Sequence, residues 1–209
     1  MLENGGTYDR VLTMAETTTK TSGSTPKRDL LLDTAAELFY RGGYHAVGID
    51  TILAEAGLAK MTLYHHFSSK EELIVAVIER RGRIIGEAIA AAIEAAGPSP
   101  RKQLLALFDW HERWFNSKDF NGCAFIRAVG EYPDVESPIH QAVIKGKQAA
   151  RDRLEALLIK MEANDPERLA IQLHLLLEGA IVGAHTFGDS GVIKQAREAA
   201  LILVKSDAG

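Results

Sequence analysis

A group of polar and basic side chains between residues 60 and 70 has the composition of a surface that contacts a polyanion. Lys60, Tyr64 and His65 occur within six residues, and Lys70 follows shortly after. No acidic residue occurs between Ala56 and Lys70. A row of phosphates could therefore approach this segment without meeting a repelling charge. The ordinary alternative is a helical hairpin of a bundle, in which Tyr64 and the histidines are half-buried surface.

The elements that would position these side chains are two short helices joined by a tight turn, over residues 48–67. Ile49, Ile52, Leu53 and Ala56 recur at the spacing of a helix with one buried face. Gly57 then ends that helix, because glycine readily takes the left-handed conformation of a C-terminal cap. A second helix is predicted from about residue 60 to residue 67. This is a helix-turn-helix pattern, whose second helix would enter a DNA major groove.

At 100° per residue, the second helix has an inner and an outer face. Ala59, Leu63 and Phe67 point inward, and His66 flanks them, so we expect His66 to be structural. The outward group is Lys60, Met61, Tyr64 and His65, with Thr62 at the border.

Overall charge does not favour nucleic acid, since the chain of 209 residues has a formal net charge of −4. From Lys27 to Glu72 there are five basic and seven acidic residues. DNA binding would have to rest on a few placed side chains. A single cysteine, Cys123, excludes an intramolecular disulfide, and no apolar run of about 18 residues is present. With no secretory signal pattern at the N-terminus, we expect a cytoplasmic protein without a membrane span.

The composition along the chain predicts an all-α fold of about nine helices. Residues 1–25, rich in Thr, Ser and Gly, are predicted to be a disordered arm. Pro26 begins the first helix, and Lys27 and Arg28 at its start either reach a phosphate or are solvated. After a cap at residues 68–72, a long helix runs to about residue 96, where Gly, Pro and Ser break it. We expect a DNA-binding domain at 26–86 and a larger helical body at 87–209.

The body contains aromatic and polar residues of the kinds that line small-molecule sites. This candidate pocket comprises Phe108, His111, Trp114, Phe115, Phe120, Cys123, Phe125 and His174, several of which could instead fill the core. Cys123 could also be a redox sensor. His174 and Glu178 lie one helical turn apart, but without a third ligand we expect no metal. No catalytic or cofactor motif is present, so we expect neither an enzyme nor a cofactor.

The last two helices, from Pro166 and from about Val192, are apolar and joined by a short turn, as in helical dimer interfaces. The candidate interface residues are Leu173, Leu177, Ala180, Gly183, Ala184, Ala196, Ala200 and Leu203. The alternative is that these residues only close the core of the body.

Several stretches of the first half resemble the DNA-binding domain of the TetR family of bacterial transcriptional regulators. They are Ala35–Phe39, Gly43–Tyr44, Ile52–Gly57 and Thr62–Leu73, within a match that extends from about Pro26 to Ile84. The segment Gly122–Phe125, followed by Glu131–Pro133, resembles one large subgroup. The family's fold implies three short helices in a DNA-binding head and a helical body that binds ligand and dimerises.

By position, the resemblance implies base or backbone contacts from Lys60, Met61 and Thr62, and phosphate contacts from Tyr64, His65 and Lys70. Gly48 stands where the family often has Ser or Thr as a helix cap that touches phosphate, and glycine has no hydroxyl for that contact. The resemblance implies a homodimeric repressor on a pseudo-palindromic operator in double-stranded DNA, released by a small, largely apolar effector. Two alternatives remain: a regulator switched by oxidation of Cys123, and a helical ligand-binding protein without DNA binding.

Overall fold

A computed structural model of the protein describes residues 25–207, which fold into nine α-helices with no strand in that range. The all-α prediction is confirmed. The helices are α1 (Pro26–Gly42), α2 (Ile49–Ala56), α3 (Lys60–His66), α4 (Lys70–Ala95), α5 (Pro100–Phe115), α6 (Ala124–Glu131), α7 (Pro138–Lys160), α8 (Pro166–Phe187) and α9 (Val192–Asp207). The predicted arm lies outside the described residues, apart from Thr25, which caps α1.

The chain divides into two compact units at boundaries that differ from those expected. The first unit runs up to Ile84 and also includes Ala124–Gly146, whereas the second comprises Ile85–Cys123 and Lys147 onward. Helix α6 and the start of α7 therefore belong with the DNA-binding helices, and the simple division into 26–86 and 87–209 does not describe the fold. The reason is a shared core, which a linear scan for chain breaks does not detect.

The core of the first unit joins residues from six helices. Leu31 and Phe39 of α1, Ile52 of α2 and Leu63 of α3 are completely covered. The same cluster includes Ile74 of α4, and from the later segment Ala128, Ile139, Ala142 and Val143. Burial of this much apolar surface holds the short helices α2 and α3, which are too short to be stable alone.

Glu131, at the end of α6, binds the loop between α1 and α2 in the first unit. Its carboxylate accepts hydrogen bonds from the main-chain N–H of Tyr44 at 3.0 Å and of His45 at 2.5 Å. The His45 ring stacks on Tyr132 with centroids 4.4 Å apart. These contacts satisfy two main-chain donors that the loop leaves free of helical partners, and they fix the loop that precedes α2.

In the second unit, α8 packs against α9, and α9 packs against α5. The latter pair is joined by Arg197, whose Nη1 lies 2.9 Å from Oδ1 of Asp109. Helix α9 continues to Asp207, three residues beyond the predicted end. The Asp207 carboxylate accepts hydrogen bonds from the main-chain N–H of Asn164 at 2.7 Å and from Nη2 of Arg168 at 2.8 Å. This tertiary contact, which periodicity does not encode, stabilises the final turn.

Most of the predicted dimer-interface residues are already covered within a single chain. Leu173, Leu177, Ala180, Ala184, Ala196 and Ala200 are buried, while Gly183 and Leu203 are half-buried. These six buried residues close the core of the second unit, as the alternative interpretation stated. The apolar side chains that α8 leaves exposed are different ones: Ile171, Leu175 and Val182.

Helix α8 is long and apolar enough to cross a membrane by length and composition alone, the one such helix in the described part of the chain. Core helices of helical bundles pass the same test, and α8 buries one face against its neighbour α9. Its apolar character therefore does not indicate a membrane protein.

Candidate nucleic-acid interface

The turn between α2 and α3 has the geometry that its sequence predicts. Gly48 caps α2 with extended backbone and no side-chain hydrogen bond. Gly57 has φ 63° and ψ 34°, in the left-handed region, and ends α2. The N–H of Leu58 donates to the carbonyl of Leu53 at 3.0 Å, which completes a glycine-based C-terminal cap. This cap sets the direction in which α3 leaves α2.

Helix α3 presents the side chains sorted by angle to the expected sides. Leu63 is completely buried, and Phe67 just beyond the helix is nearly so. On the other side Met61 is 80% exposed and Tyr64 46% exposed. Lys60 and His65 are also exposed, and Thr62 is half-buried. A methionine held this far into solvent by a rigid core is unusual, and it makes Met61 the most prominent apolar group on this surface.

Some cations of this surface are held by contacts within the protein. Lys60 Nζ lies 3.7 Å from Oδ1 of Asp50, and both side chains are exposed. Lys70 Nζ donates to the His45 carbonyl at 3.2 Å. Arg28 is half-buried, with its guanidinium 5.0 Å from the centre of the Phe67 ring. Lys27 is exposed and available, so the four predicted cations differ in how freely they can reach a phosphate.

Asp50 beside Lys60 was missed by the sequence reasoning, which counted acids along the chain and did not place them on the surface. The signal was present, because Asp50 lies in the first turn of α2, where the helix dipole favours an acid. Its carboxylate reduces the positive potential near Lys60 and restrains that side chain.

The two histidines at the end of α3 differ in environment. His65 is exposed, whereas His66 is half-buried with Nε2 3.3 Å from Oγ1 of Thr25. Partial desolvation, followed by the nearby His65, Arg28 and Lys27, lowers the pKa of His66. A proton on His66 is therefore disfavoured near neutral pH, and its contact with Thr25 is consistent with the predicted structural role.

The cap of α4 places Lys70 at the first helical position. Ser69 Oγ accepts a hydrogen bond from the Glu72 N–H at 3.1 Å. The Glu72 carboxylate accepts from both the N–H and the hydroxyl of Ser68 at 2.6 Å, and these hydrogen bonds lower the pKa of Glu72. The predicted capping box is thus present in a shifted form, in which Glu72 reaches one residue further back than usual.

In the second unit, five of the residues predicted for a pocket form one aromatic cluster. The Phe120 ring lies 5.2 Å from Trp114 and 5.1 Å from Phe115, measured between centroids. His111 contacts the rings of Trp114 and Phe115, and Phe108 is buried on the same helix. Trp110, which the sequence reasoning overlooked, lies 5.1 Å from His111 and is 1% exposed. Its position on the helix face next to His111 was the available signal.

Burial decides the protonation of His111. Desolvation lowers its pKa to about 4, with smaller effects from the Leu107 carbonyl, Glu178, Lys147 and His174. Because a carbonyl can only accept, Nδ1 carries the proton that is donated to the Leu107 oxygen at 2.8 Å. His111 is therefore neutral at physiological pH, with Nε2 as its acceptor nitrogen.

A polar group in the same unit contains two more predicted residues. Lys147 Nζ lies 3.5 Å from Sγ of Cys123 and 2.5 Å from Oε2 of Glu178. His174 Nε2 lies 4.0 Å from the other carboxylate oxygen of Glu178, and burial lowers the pKa of His174. The ion pair with Lys147 competes with any metal for Glu178. The described residues contain no group of three or more potential ligands that could hold a metal ion.

Phe125 is the predicted pocket residue that the structure places elsewhere. It packs in the first unit, where a Cβ atom added to Gly146 would lie 2.8 Å from Cε1 of its ring. Phe125 therefore fills the space that two glycines, Gly82 and Gly146, leave open. The aromatic cluster of the second unit forms without it.

Taken together, a capped helix pair with an exposed second helix defines this chain as a helix-turn-helix DNA-binding protein. A family model described as "Bacterial regulatory proteins, tetR family" matches residues 31–77. A TetR-family transcriptional regulator from Streptomyces coelicolor has a similar structure, with a TM-score of 0.79 and 33% identity, over 88% of this chain and 96% of that one.

Two curated relatives have opposite regulatory signs. The transcriptional activator FasR of Mycolicibacterium smegmatis is 52% identical over 54 residues, which are 26% of this chain and 25% of that protein. The transcriptional repressor NemR of Escherichia coli K12 is 26% identical over 120 residues, 57% of this chain and 60% of that protein. The chain belongs to the TetR family of transcriptional regulators.

Proposed function

We propose that this protein is a homodimeric repressor that leaves its operator when a small, largely apolar effector binds. The observation that carries the DNA-binding part is the outer face of α3. Lys60, Met61, Tyr64 and His65 are exposed there, and Leu63 is locked into the core behind them. A rigid helix with an exposed, acid-free outer face is the element that helix-turn-helix proteins insert into the major groove.

Different residues of this surface would have different roles. Lys60, Met61 and Thr62, at the start of α3, would face the bases, and Met61 would suit the methyl group of a thymine. Tyr64, His65 and Lys70, with Lys27 and Arg28 at the start of α1, would contact phosphates. Gly48 has no side chain for such a contact, so only its main-chain N–H could serve. Because few cations are involved, affinity would depend on two copies acting together.

Dimerisation would use the exposed side of α8 and α9. Ile171, Leu175 and Val182 recur every four or seven residues along α8, and Ile202 of α9 is 66% exposed. An apolar stripe of this kind on the last two helices fits an isologous contact with the same stripe of a second chain. The two copies of α3 would then lie in successive major grooves, about 34–36 Å apart or somewhat more.

The effector would bind among the aromatic side chains of the second unit. Trp114, Phe115 and Phe120 provide apolar walls, and His111 provides an acceptor. A hundredfold loss of operator affinity corresponds to about 2.7 kcal/mol of coupling, within the range of one ligand-driven conformational change. The similarity to the NemR repressor supports repression, since that match extends beyond the DNA-binding helices whereas the match to the FasR activator does not.

A gel-shift titration on the DNA upstream of the protein's own gene tests this proposal. We expect a discrete shift with half-saturation in the nanomolar range, as for specific DNA-binding proteins at physiological salt. A reporter under that promoter should be silenced by the protein. An intact dimer that gives no shift at low salt would contradict the proposal. Activation of the reporter would contradict repression while leaving DNA binding in place.

Two kinds of variant should separate base recognition from phosphate contact. We expect Lys70→Ala to weaken binding to operator and unrelated DNA alike, by about tenfold, and to reduce the salt slope by about one. Lys60→Ala and Met61→Ala should instead change the preference among operator bases, by about 1–3 kcal/mol per affected base pair. Fluorescence anisotropy titrations at several salt concentrations measure both effects.

Lys118→Ala, which removes an exposed lysine of the second unit, is the control and should change neither quantity. Identical behaviour of the Lys60, Met61 and Lys70 variants would contradict the roles proposed for them.

A second candidate function is control by oxidation of Cys123. The observation that favours it is the ammonium group of Lys147, 3.5 Å from Sγ. Reactive cysteines occur beside cations of this kind, because oxidants attack the thiolate. If this function is correct, hydrogen peroxide should release the protein from DNA, and Cys123→Ser should remain bound. Equal release of both proteins would exclude Cys123 as the switch. Cys123→Ser is itself expected to bind operator normally without oxidant.

A further inference from the structure

Arg81 is a buried cation that the protein does not neutralise. It lies on α4 in the first unit, and only 6% of it is exposed. Its Nε is completely buried and has no hydrogen-bond partner in the protein. Among the described residues no carboxylate pairs with it. The preceding residue shows the usual arrangement, since Arg80 Nη2 lies 2.8 Å from Oδ1 of Asp33 and Nη1 lies 3.7 Å from Oδ1 of Asp29.

The one compensating contact that Arg81 makes is with an aromatic ring. Its guanidinium carbon lies 4.1 Å from the centre of the Tyr40 ring. A cation–π contact returns only part of the free energy that is lost when a guanidinium leaves water. A buried charge with this little compensation is costly unless a partner of opposite charge completes the site. The missing partner is therefore an anion.

A second cation lies close to the same tyrosine. Arg127 Nη1 donates to the main-chain carbonyl of Tyr40 at 3.0 Å and, more weakly, to that of Arg41 at 3.5 Å. Both acceptors are neutral, so Arg127 adds positive potential around Tyr40 without bringing a negative charge. The nearest described carboxylates on these elements are engaged elsewhere: Glu37 with Arg41, and Glu131 with the amides of Tyr44 and His45.

The geometry of Arg81 selects the kind of anion. The ring of Tyr40 occupies the region near the guanidinium, and the Nε–H remains unpaired. The edge formed by Nε and one Nη matches the two oxygens of a planar carboxylate. The ring of Phe125 lies beside Gly82, the next residue of α4, so the surroundings are apolar. An acid with an apolar portion suits this environment better than a small, strongly hydrated ion.

We propose that Arg81 binds the carboxylate of the effector, which is therefore an organic acid with an apolar portion. This inference rests on the proposed function as a ligand-responsive regulator. Tyr40 and Arg41 form the last full turn of α1, and α1 packs against both α2 and α3. An acid bound at Arg81 thus contacts the end of the helix that supports the DNA-binding surface.

The test observes the Arg81 Nε–H directly by ¹⁵N NMR of arginine side chains in the full chain. Sodium acetate and sodium octanoate are the acidic probes, acetamide and octanamide the neutral controls, and inorganic phosphate the alternative anion. We expect the Arg81 signal to shift saturably with octanoate, with weaker acetate binding and no response to the amides. A saturable shift with phosphate but with neither acid would overturn the carboxylate assignment. No shift with any anion would overturn the site.

Two variants and a matched control separate binding from folding. Arg81→Met removes an unpaired buried charge, so its melting temperature should be unchanged or higher, while octanoate affinity falls about tenfold or more. Arg81→Lys keeps the charge but lacks the Nε edge, and it should also lose affinity. Arg83→Met, on the same helix but exposed, should bind octanoate normally. Equal affinity in wild type and Arg81→Met would overturn the proposal.

Operator binding without any acid, measured in parallel, tests the proposed function separately. A protein that binds octanoate through Arg81 but never binds DNA would refute the regulator and leave the anion site standing. A protein that binds its operator with the same affinity when octanoate saturates Arg81 would refute the role of the site in effector response.

Discussion

Leu175→Glu is expected to produce a folded monomer whose affinity for the operator is about a hundredfold lower or worse. Leu175 is 64% exposed in the single chain, so a charge there costs little within one subunit. In the proposed dimer the same side chain is covered, and two glutamates would be buried near each other, which costs several kcal/mol. A monomer keeps only one copy of α3, and with it half of the DNA contacts.

Sedimentation velocity, circular dichroism and anisotropy titration together measure this outcome. Ile159→Glu provides the matched control, because Ile159 is 58% exposed on α7, a different helix. It should remain dimeric and bind DNA normally. Leu173→Glu should unfold the second unit, since Leu173 is completely buried. A dimeric Leu175→Glu protein with normal DNA affinity would show that the exposed side of α8 is not the interface.

The second large effect is a loss of stability on acidification that originates at His111. Its pKa is about 4 in the folded protein and near 6.5 in an unfolded chain. Between these values the unfolded chain binds a proton that the folded protein does not. Stability therefore decreases as the pH falls from about 6.5 to about 4, by up to about 3 kcal/mol from this residue. Above this window the stability is fully present.

Urea unfolding at about pH 7.5 and about pH 4.5, at one protein concentration, measures this contribution. His111→Phe removes the titrating group and keeps a buried ring of similar size. We expect wild type to lose about 2–3 kcal/mol more than His111→Phe between the two pH values. His140→Gln, which alters a half-buried histidine of the first unit, should behave as wild type. Equal losses in wild type and His111→Phe would show that protonation of other groups dominates.

Local sequence signals were sufficient for the elements and for the faces of the DNA-binding helices. Pro26, Pro100 and Pro166 each stand in the first turn of a helix, and Gly57 ends α2 in the left-handed conformation. Such signals involve residues within one or two turns of each other, so a linear chain contains them in full. The angular sorting of α3 was accurate for the same reason, since Leu63 is buried and Met61 exposed.

The periodicity of an apolar helix could not show which of its faces is covered by the chain itself. Leu173 and Leu175 are the same residue type on the same helix, yet one is completely buried and the other mostly exposed. Only the position of α9 against α8 distinguishes them. For this reason the predicted interface named the residues that close the subunit core.

The sequence by itself determined that this chain is all-helical, that it contains a helix-turn-helix, and which side of α3 faces outward. Tertiary structure alone decided the environments of isolated charges. Glu131 binds main-chain amides 86 and 87 residues away in sequence, His111 loses its proton by burial, and Arg81 has no counter-ion although its neighbour Arg80 has two. The physical reason is that helix signals are local, whereas the solvation of a charge depends on everything that packs around it.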